Sequence, residues 1–403
     1  MLRSFSSRAR PAVAALLAGV ALAGCEMLGD STGPKQTSGP QCDGTGRVTL
    51  DGKELAAAPN GFVSVGNQLL RASDCKAVRF VGMSRPSLSF SPEGGRLSSD
   101  SASANDFAGI RAWGANTVRL ELAQYYWLPT AASYDPGYAA RVERVVKQAR
   151  AAGLYVILAL QFSDRGIAGY NPVGNSHQPM PDRNHSVPFW RDVATRFKND
   201  GGVLYELFSE PFPVGGEGGY SNWAMWKNGG MHPADNTYGP RPAYDAVGMQ
   251  ELYGVVRATG ANNVVILTGT NWGYKLKGVP DHRVSGYNIA YATHPWNHPE
   301  WPEDNQPSDW EADWAFLAKT EPVIATEFGT RDCRETYARA LLDRADQLAI
   351  GWIAWSWTAP ATGTSTAQGS VADPVCDRSF LIMDWTGTPT RVGAVIKQRL
   401  GSY

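Results

Sequence analysis

Residues 203–208 read Val-Leu-Tyr-Glu-Leu-Phe, and Ser209-Glu210-Pro211 follow them directly. The run is short, apolar and nearly continuous rather than alternating, which is typical of a parallel strand covered on both faces. The polar group and the proline mark the place where the strand ends. The stretch therefore predicts a buried parallel strand with a glutamate just beyond its carboxyl end.

Seven other runs have the same character. They are Val78–Met83, Asn116–Leu122, Leu154–Gln161, Asn263–Thr268, Gly286–Ala292, Pro322–Glu327 and Ile350–Trp357. Helical patterns follow most of them, although the pattern after the fifth strand is weak. Eight strands alternating with helices predict an α/β protein with a (β/α)8 TIM barrel. A doubly wound open sheet is the alternative, but no glycine-rich GxGxxG turn follows the first strand.

Local signals add detail to this barrel. Asp135-Pro136 predicts a helix start, because aspartate caps helices and proline suits the first helical position. Ala243–Val256 is predicted to be another helix. Gly66-Asn67 separates Phe62–Val65 from Leu69–Ala72, and this two-residue spacer predicts an N-terminal β-hairpin.

Composition limits the class of protein. The chain has 403 residues with 37 basic and 38 acidic side chains, so its formal net charge is −1. Without a long basic run, nucleic acid is not an expected partner. Hydrophobic residues make up 43%, which predicts a large core, and the 14 tryptophans suggest that some line a cleft. We expect a monomer.

The N-terminal segment has the features of an export signal. Three arginines precede an apolar run at 11–23, which is too short to span a bilayer. The run ends in Leu22-Ala23-Gly24-Cys25, which resembles the lipobox of bacterial lipoproteins and implies acylation of Cys25. An ordinary cleaved signal is the alternative. We expect residues 1–25 to be the signal peptide, 26–41 a flexible linker and 42–403 the folded domain. The domain would be exported and held at the outer membrane or cell surface by the lipid anchor alone.

Four cysteines remain, namely Cys42, Cys75, Cys333 and Cys376. An even number in an exported protein predicts disulfides, and nearest-neighbour pairing gives Cys42–Cys75 and Cys333–Cys376. Each would stabilise the fold by roughly 3–4 kcal/mol. Four free thiols are the alternative. No CxxC spacing points to a metal site, and we expect neither metal nor cofactor.

The chemistry of a barrel of this type collects at the carboxyl ends of its strands. The polar and aromatic residues expected there are Arg119, Gln161, Asp164, Ser209, Glu210, Asn271, Trp272, His294, Trp296, Glu327, Trp355 and Trp357. Glu210 and Glu327 would face each other across the mouth, and paired carboxyl groups perform glycoside hydrolysis. Salt bridging is the alternative role for either glutamate, and bracing of the barrel mouth is the alternative for Arg119.

From Val78 to Trp357 the chain resembles glycoside hydrolase family 5, also called cellulase family A, a group of retaining cellulases and mannanases. The resemblance rests on Asn116–Arg119, Glu210-Pro211, the His294-x-aromatic step, Ala325–Gly329 and the last-strand tryptophan. It implies that Glu210 is the general acid/base and Glu327 the nucleophile. It also implies that the last-strand tryptophan forms the floor beneath the reacting sugar. Trp355 and Trp357 are two residues apart and point to opposite faces of their strand, and we favour Trp355 for this role.

Further roles in the site are expected on chemical grounds. Apolar Phe208 and Phe212 would keep Glu210 protonated, whereas Arg119 would hold Glu327 ionised. Tryptophans in loops after strands would stack on sugar rings, with core packing as the alternative. These are Trp127, Trp223, Trp226, Trp272, Trp296 and Trp301; Trp190 and Trp314 are expected in the core. The predicted substrate-binding set is Arg119, Ser209, Asn271, Trp272, His294, Trp296, Trp355 and Trp127.

Three positions depart from the family pattern. Ser209 replaces an asparagine that binds the 2-hydroxyl group of the reacting sugar, and Gln161 and Ser163 lie where a histidine is usual. Trp296 replaces a tyrosine that touches the nucleophile, although its indole N–H could donate to Glu327.

Two classes of function remain. One is a retaining endo-β-glycanase acting on β-1,4-glucan, with a β-mannanase of the same family as the alternative substrate class. The other is a non-catalytic surface lipoprotein that binds polysaccharide. Ser209 favours the second, whereas the set of Glu210, Glu327 and Arg119 favours the first. A polysaccharide is the expected partner in both cases.

Overall fold

The computed structural model describes residues 39–90, 103–163, 178–235, 242–298, 305–332, 334–360 and 379–403. The predicted signal peptide with Cys25, most of the linker, and the sites Asp164, Trp301, Cys333 and Cys376 lie outside these ranges. One compact unit spans Gly39–Tyr403.

Eight parallel strands close into a barrel. In chain order they are β1 (Val81–Ser84), β2 (Thr117–Ala123), β3 (Tyr155–Phe162), β4 (Val203–Glu206), β5 (Val265–Thr268), β6 (Ile289–Ala292), β7 (Val323–Thr330) and β8 (Gly351–Ala354). Each pairs with the next, and β8 pairs with β1. The predicted (β/α)8 barrel is confirmed, and each predicted run overlaps one of its strands.

Helices surround the barrel. The longer ones are α1 (Ala104–Ala112), α2 (Tyr138–Ala151), α3 (Arg183–Phe197), α4 (Met249–Ala258), α5 (Glu335–Gln347) and α6 (Arg391–Leu400). Short helical segments are Ser87–Phe90, Gln124–Trp127, Glu217–Gly219, Trp223–Asn228, Glu311–Ala315 and Leu317–Lys319. No helix lies between β5 and β6, where all residues are described and where the helical signal was weak.

Helix α2 shows how the sequence places these helices. Val142, Val145, Val146 and Ala149 are buried on one face, which is the period expected for packing against a barrel. The Asp135 carboxylate accepts the N–H of Gly137 at 2.7 Å, so it caps a turn and the helix itself begins at residue 138, later than predicted.

The helix predicted over 243–256 was wrong in its first part. Tyr244–Val247 is a strand paired with Gly229–His232, and α4 begins only at Met249. This pairing needs a close backbone approach at Gly248, where a Cβ would lie 2.3 Å from the Lys227 carbonyl oxygen. The partner strand is distant enough in sequence that a local helical pattern could not reveal it.

The amino end of the barrel is closed and apolar. The predicted hairpin forms from Phe62–Val65 and Gln68–Arg71, and Gly66 adopts a φ of 56° at its turn. Phe62 packs edge-on against Phe80 and Tyr155, beneath the inward side chains of the strands. Polar inward side chains are therefore expected only higher in the barrel, toward the carboxyl ends.

Smaller sheets complete the fold. Gln41–Cys42, Val48–Leu50 and Lys53–Leu55 form a three-stranded sheet, and the predicted Cys42–Cys75 disulfide ties it to the segment after the hairpin. Gly215–Gly216 pairs with Tyr220–Ser221, and Trp296–Asn297 pairs with the end of β7. Across the described ranges, no helix combines the length and the apolar character needed to cross a membrane.

Candidate active site

Two carboxyl groups meet at the carboxyl end of the barrel. Glu210 follows β4, and Glu327 lies in β7 where the pairing with β8 shifts register. One oxygen of each carboxyl group and one ring nitrogen of His294 lie within 4.8 Å of one another. Glu327 is 5% exposed, and the Glu210 side chain is 18% exposed. This close spacing resembles that of retaining glycosidases, about 5–5.5 Å between carboxyl groups, rather than the wider inverting arrangement.

The backbone around Glu210 is strained. Glu210, Asn271 and Trp272 have φ values of 58°, 54° and 56°, a region that non-glycine residues adopt at a cost and that clusters at functional sites. The backbone N–H of Trp272 donates to the backbone carbonyl of Pro211 at 3.1 Å. The loops after β4 and β5 are thereby joined directly beside the Glu210 carboxyl group.

Glu327 accepts hydrogen bonds on both oxygens. Arg119 Nη1 donates to Oε2 at 3.0 Å, and Trp296 Nε1 donates to Oε1 at 3.0 Å. The indole N–H of Trp296 thus donates to Glu327, as the sequence analysis said it could. Both donors favour the ionised form of the carboxyl group.

Burial works against these donors. The pKa of Glu327 is raised to about 7, and burial is the largest cause, followed by repulsion from Glu210. His294 and Arg119 act in the opposite direction and lower this pKa. The expectation that Arg119 alone would keep Glu327 ionised thus missed the cost of burial. Two carboxyl groups this close resist double ionisation, so the pair retains one proton under mildly acidic conditions.

Arg119 is the centre of a buried ionic cluster. It is 0% exposed and donates from Nε to Glu206 at 2.7 Å and from Nη1 to Glu121 at 2.7 Å. Its Nη2 donates to Ser209 Oγ at 2.8 Å and to Glu206 at 3.4 Å. Together with the bond to Glu327, five hydrogen bonds use the five N–H groups of the guanidinium.

The sequence reasoning missed Glu121 and Glu206. Glu206 is a single charged residue inside the apolar run of β4, and Glu121 follows Arg119 by two residues and so shares its inward face. Those two signals could have identified both residues. Ser209, predicted as a sugar-binding residue, is 0% exposed and braces Arg119.

His294 joins the cluster to the acid/base candidate. Its Nδ1 lies 3.3 Å from Glu210 Oε1, and its Nε2 lies 3.0 Å from Thr326 Oγ1 and 3.4 Å from Glu206 Oε1. Burial alone would lower the pKa of His294, but its hydrogen bonds to Glu206 and Glu210 outweigh burial and raise that pKa to about 9. Burial likewise opposes ionisation of Glu206, yet Arg119 and His294 lower its pKa. His294 is therefore cationic and Glu206 anionic near neutral pH.

A metal ion does not suit this donor set. Among the described residues, Glu210, His294 and Glu327 offer three possible ligand atoms. Histidine must be neutral to bind a metal, whereas His294 is held protonated and both of its ring nitrogens face oxygen partners. The expectation of no metal and no cofactor stays a prediction.

Half-buried aromatic side chains lie near the residues of the carboxyl pair. Trp272 is half-buried and stacks on Phe212, with ring centroids 4.7 Å apart and planes 12° from parallel. Trp355 is half-buried and lies 6.0 Å from Trp296 between ring centroids. Trp357 instead is 1% exposed and packs against Trp113. Trp355, not Trp357, therefore faces the site.

Two predicted platforms, Trp127 and Trp226, are misplaced. Trp127 is 4% exposed, packs edge-on against Phe189, and donates to Asp192 at 2.8 Å. The helical turn Gln124–Trp127 directs it into the core, which corrects the expectation that it lines the cleft. Trp226 is buried as well, and Trp190 and Trp314 lie in the core as predicted.

Comparison with known proteins agrees with this geometry. The family model described as cellulase (glycosyl hydrolase family 5) matches residues 73–360. Endoglucanase Z of Dickeya dadantii is 26% identical over 161 residues, which are 40% of this chain and 29% of that protein. Endoglucanase C of Evansella cellulosilytica is 24% identical over 321 residues, which are 73% of this chain and 35% of that protein. The chain thus spans about a third of the length of these curated relatives.

A solved structure extends the likeness to the whole barrel. The crystal structure of a β-glucanase from Saccharophagus degradans matches with a TM-score of 0.61 and 24% identity, covering 90% of this chain and 96% of that one. The same β-glucanase has been solved in complex with cellotetraose. At this identity the likeness establishes the fold.

Proposed function

The chain belongs to the cellulase family, glycosyl hydrolase family 5, and we propose that it is a retaining endo-β-glycanase that hydrolyses β-1,4-linked glucan. The observation that carries the proposal is the pair Glu210–Glu327, whose oxygens approach within 4.8 Å at the barrel mouth. A pair this close leaves no room for the water that an inverting enzyme places between its carboxyl groups.

Glu327 is the proposed nucleophile. Two N–H donors converge on it, from Arg119 and Trp296, so when the pair holds a single proton the charge is best stabilised on Glu327. It would attack the anomeric carbon and form a covalent glycosyl-enzyme while the glycosidic bond breaks.

Glu210 is the proposed general acid and base. It is the more exposed of the two carboxyl groups, and within the carboxyl pair it carries the proton. It would donate that proton to the leaving oxygen and then deprotonate the water that releases the sugar. Protonated His294 beside Glu210 Oε1 would stabilise the carboxylate left after proton transfer.

Substrate binding is proposed for the aromatic residues of the mouth. Flat rings match the apolar C–H faces of sugars, and Trp355 and Trp272 are both half-buried. Trp355 lies near Trp296, which donates to Glu327, and the backbone of Trp272 bonds to Pro211, next to Glu210. Glucan is favoured over mannan because the first curated relatives are endoglucanases and the barrel resembles a β-glucanase solved with cellotetraose.

A panel of soluble β-glucan, mannan and xylan tests the proposal by release of reducing sugar. We expect β-glucan to be cleaved, with the β-anomer appearing first by NMR. Faster cleavage of mannan would point to the mannanase alternative. Binding of a polymer without release of any sugar across about pH 4–8 would leave the non-catalytic function, which the substitution of Ser209 for asparagine favours.

Variants separate the two roles. Glu327→Gln should abolish turnover, and azide should restore none of it. Glu210→Ala should be rescued by azide on an activated aryl glycoside, because the small anion replaces the water that needs a base. Glu251→Gln, on the exposed face of α4, is the matched control and should keep its activity. Absence of azide rescue in Glu210→Ala would refute the assignment of roles.

We also propose that the chain is exported and lipid-anchored through Cys25, on the strength of Leu22-Ala23-Gly24-Cys25. Labelling with radioactive palmitate in a bacterial host should modify the natural chain and not Cys25→Ser. Equal labelling of both, or of neither, would contradict the anchor.

A further inference from the structure

A third carboxyl group, Glu121, lies beneath the catalytic pair. It is on β2, is 0% exposed, and accepts from Arg119 Nη1 at 2.7 Å. The same nitrogen donates to Glu327 at 3.0 Å. Two carboxyl groups therefore share one nitrogen of one guanidinium.

The surroundings of Glu121 do not suit a carboxylate. Facing it are Arg119 on its own strand, Ser84 on β1, Glu206 on β4 and Glu327 on β7, and His294 and Glu210 lie beyond Glu327. Among the described residues, Arg119 is the only cation that forms an ion pair with Glu121, and it also pairs with Glu206 and Glu327. Its ionisation would place a third negative charge on that guanidinium.

The second oxygen of Glu121 supports a neutral acid. The Ser84 hydroxyl lies beside Glu121 Oε2 outside good hydrogen-bond geometry, although it acts to lower the pKa of the carboxyl group, and a buried carboxylate with so poor a partner is costly. A proton on Oε2 would remove that cost. Burial, with a contribution from Glu327, raises the pKa of Glu121 to about 8, whereas Arg119 acts in the opposite direction.

We propose that Glu121 is a proton-holding positioning residue for the hydrolysis proposed above. While neutral, its Oε1 accepts from Nη1 and holds Arg119 in the orientation that serves Glu327. Once ionised, it competes with Glu327 for the same nitrogen and repels the Glu327 carboxylate. Glu121 would thus set an alkaline limit on activity that is separate from deprotonation of Glu210.

The protonation of Glu121 can be measured without any substrate. Chain labelled with ¹³C at the side-chain carboxyl of glutamate is titrated by NMR in the natural form and in Glu121→Gln. The resonance missing from Glu121→Gln should titrate with a midpoint near 8. A midpoint for that resonance near the ordinary 4.5 would overturn the proposal.

Activity on 2,4-dinitrophenyl β-cellobioside measures the positioning role. Its leaving group departs without protonation, so loss of the Glu210 proton does not mask events at high pH. We expect kcat/KM of the natural chain to fall roughly 10- to 100-fold as Glu121 ionises, the range expected for loss of a hydrogen bond to a charged group. Glu121→Gln should lack this fall because it cannot ionise.

Glu121→Leu is the companion variant. It removes the acceptor for Nη1 and should lower kcat at every pH with less change in KM, whereas the amide of Glu121→Gln should restore most of kcat. Identical alkaline pH–rate profiles for the natural chain and Glu121→Gln, or an undiminished kcat in Glu121→Leu, would overturn the positioning role.

If circular dichroism shows that Glu121→Leu does not fold, the comparison of the natural chain with Glu121→Gln still tests the positioning role. If the natural chain cleaves no glycoside, the proposed function fails while the titration still decides the state of Glu121.

Discussion

Replacement of Arg119 by lysine tests the ionic cluster most directly. Lysine keeps the positive charge but brings three donors in place of five, so at least two of the five hydrogen bonds to Glu206, Glu121, Ser209 and Glu327 are lost. Each bond to a charged group is worth about 1.5–3 kcal/mol, and a broken buried ion pair costs about 3–5 kcal/mol. We therefore expect Arg119→Lys to lower the free energy of unfolding by about 3–5 kcal/mol.

Activity should fall as well. If the lysine no longer reaches Glu327, the nucleophile loses one of its two donors, which corresponds to roughly a 10- to 100-fold loss of kcat. Urea unfolding followed by tryptophan fluorescence gives the stability, and hydrolysis of β-glucan gives kcat.

The control is Arg183→Lys. Arg183 pairs with Asp245 and Glu251 at the surface, where such pairs contribute about 0–1 kcal/mol. If Arg119→Lys cost no more stability than Arg183→Lys and kept its kcat, the shared guanidinium would not organise the site, and the reasoning on Glu327 and Glu121 would fail with it.

Three further predictions follow from the contacts of the barrel. Trp296→Phe removes the indole donor to Glu327, so the pKa of Glu327 should rise further and the acidic limb of the pH–rate profile should move to higher pH. Cys42→Ser opens a disulfide that joins residues 33 apart and should cost roughly 3–4 kcal/mol in the free energy of unfolding, and Cys75→Ser, which opens the same bond, should cost the same. Because its pKa is raised, His294 stabilises the folded state by about 3 kcal/mol; this contribution is complete below its ordinary pKa of 6.5 and is lost as pH rises through about 9. Because its pKa is lowered, Glu206 stabilises the folded state above its ordinary pKa, and this contribution is lost as the pH falls. Urea midpoints from about pH 3 to 10 should therefore decline on both sides of a mildly acidic maximum, and an unchanged midpoint between pH 6 and 9 would contradict the charge state assigned to His294.

The barrel could be predicted from sequence because parallel strands are buried on both faces. Runs such as Val203–Phe208 and Leu154–Gln161 carry that burial as an unbroken apolar pattern. The start of α4 could not be predicted from sequence. Tyr244–Val247 forms a strand because it pairs with Gly229–His232 in the folded chain, and a local sequence pattern does not show that pairing.

The site was predictable to the extent that it lies at strand ends. Glu210, Glu327 and Arg119 could be placed together from their positions alone, because the barrel brings all strand ends to one face. Trp127 could not be placed, since its direction depends on a single helical turn that follows β2. Glu121 and Glu206 were overlooked because both lie inside apolar runs rather than after them, although the charge of Glu206 and the spacing of Glu121 from Arg119 were usable signals.

The ion pairs of the cluster affect where the proposed catalytic proton is held. Among the described residues, Arg119 and His294 are the cations that pair with Glu121, Glu206, Glu210 and Glu327. A buried cluster tolerates little net charge, so carboxyl groups in excess of the cations favour their protonated form. Glu206, with contacts to both cations, is held ionised. Burial is the largest cause of the raised pKa values of Glu121 and Glu327, and the neighbouring carboxyl groups raise them further. An added cation would ionise the whole set and remove the proton that the leaving oxygen needs, so Gln161→Lys, at the mouth of β3, should lower kcat on polymeric substrate more than on a dinitrophenyl glycoside. Equal losses on both substrates would mean that the lysine disturbs packing rather than the proton count.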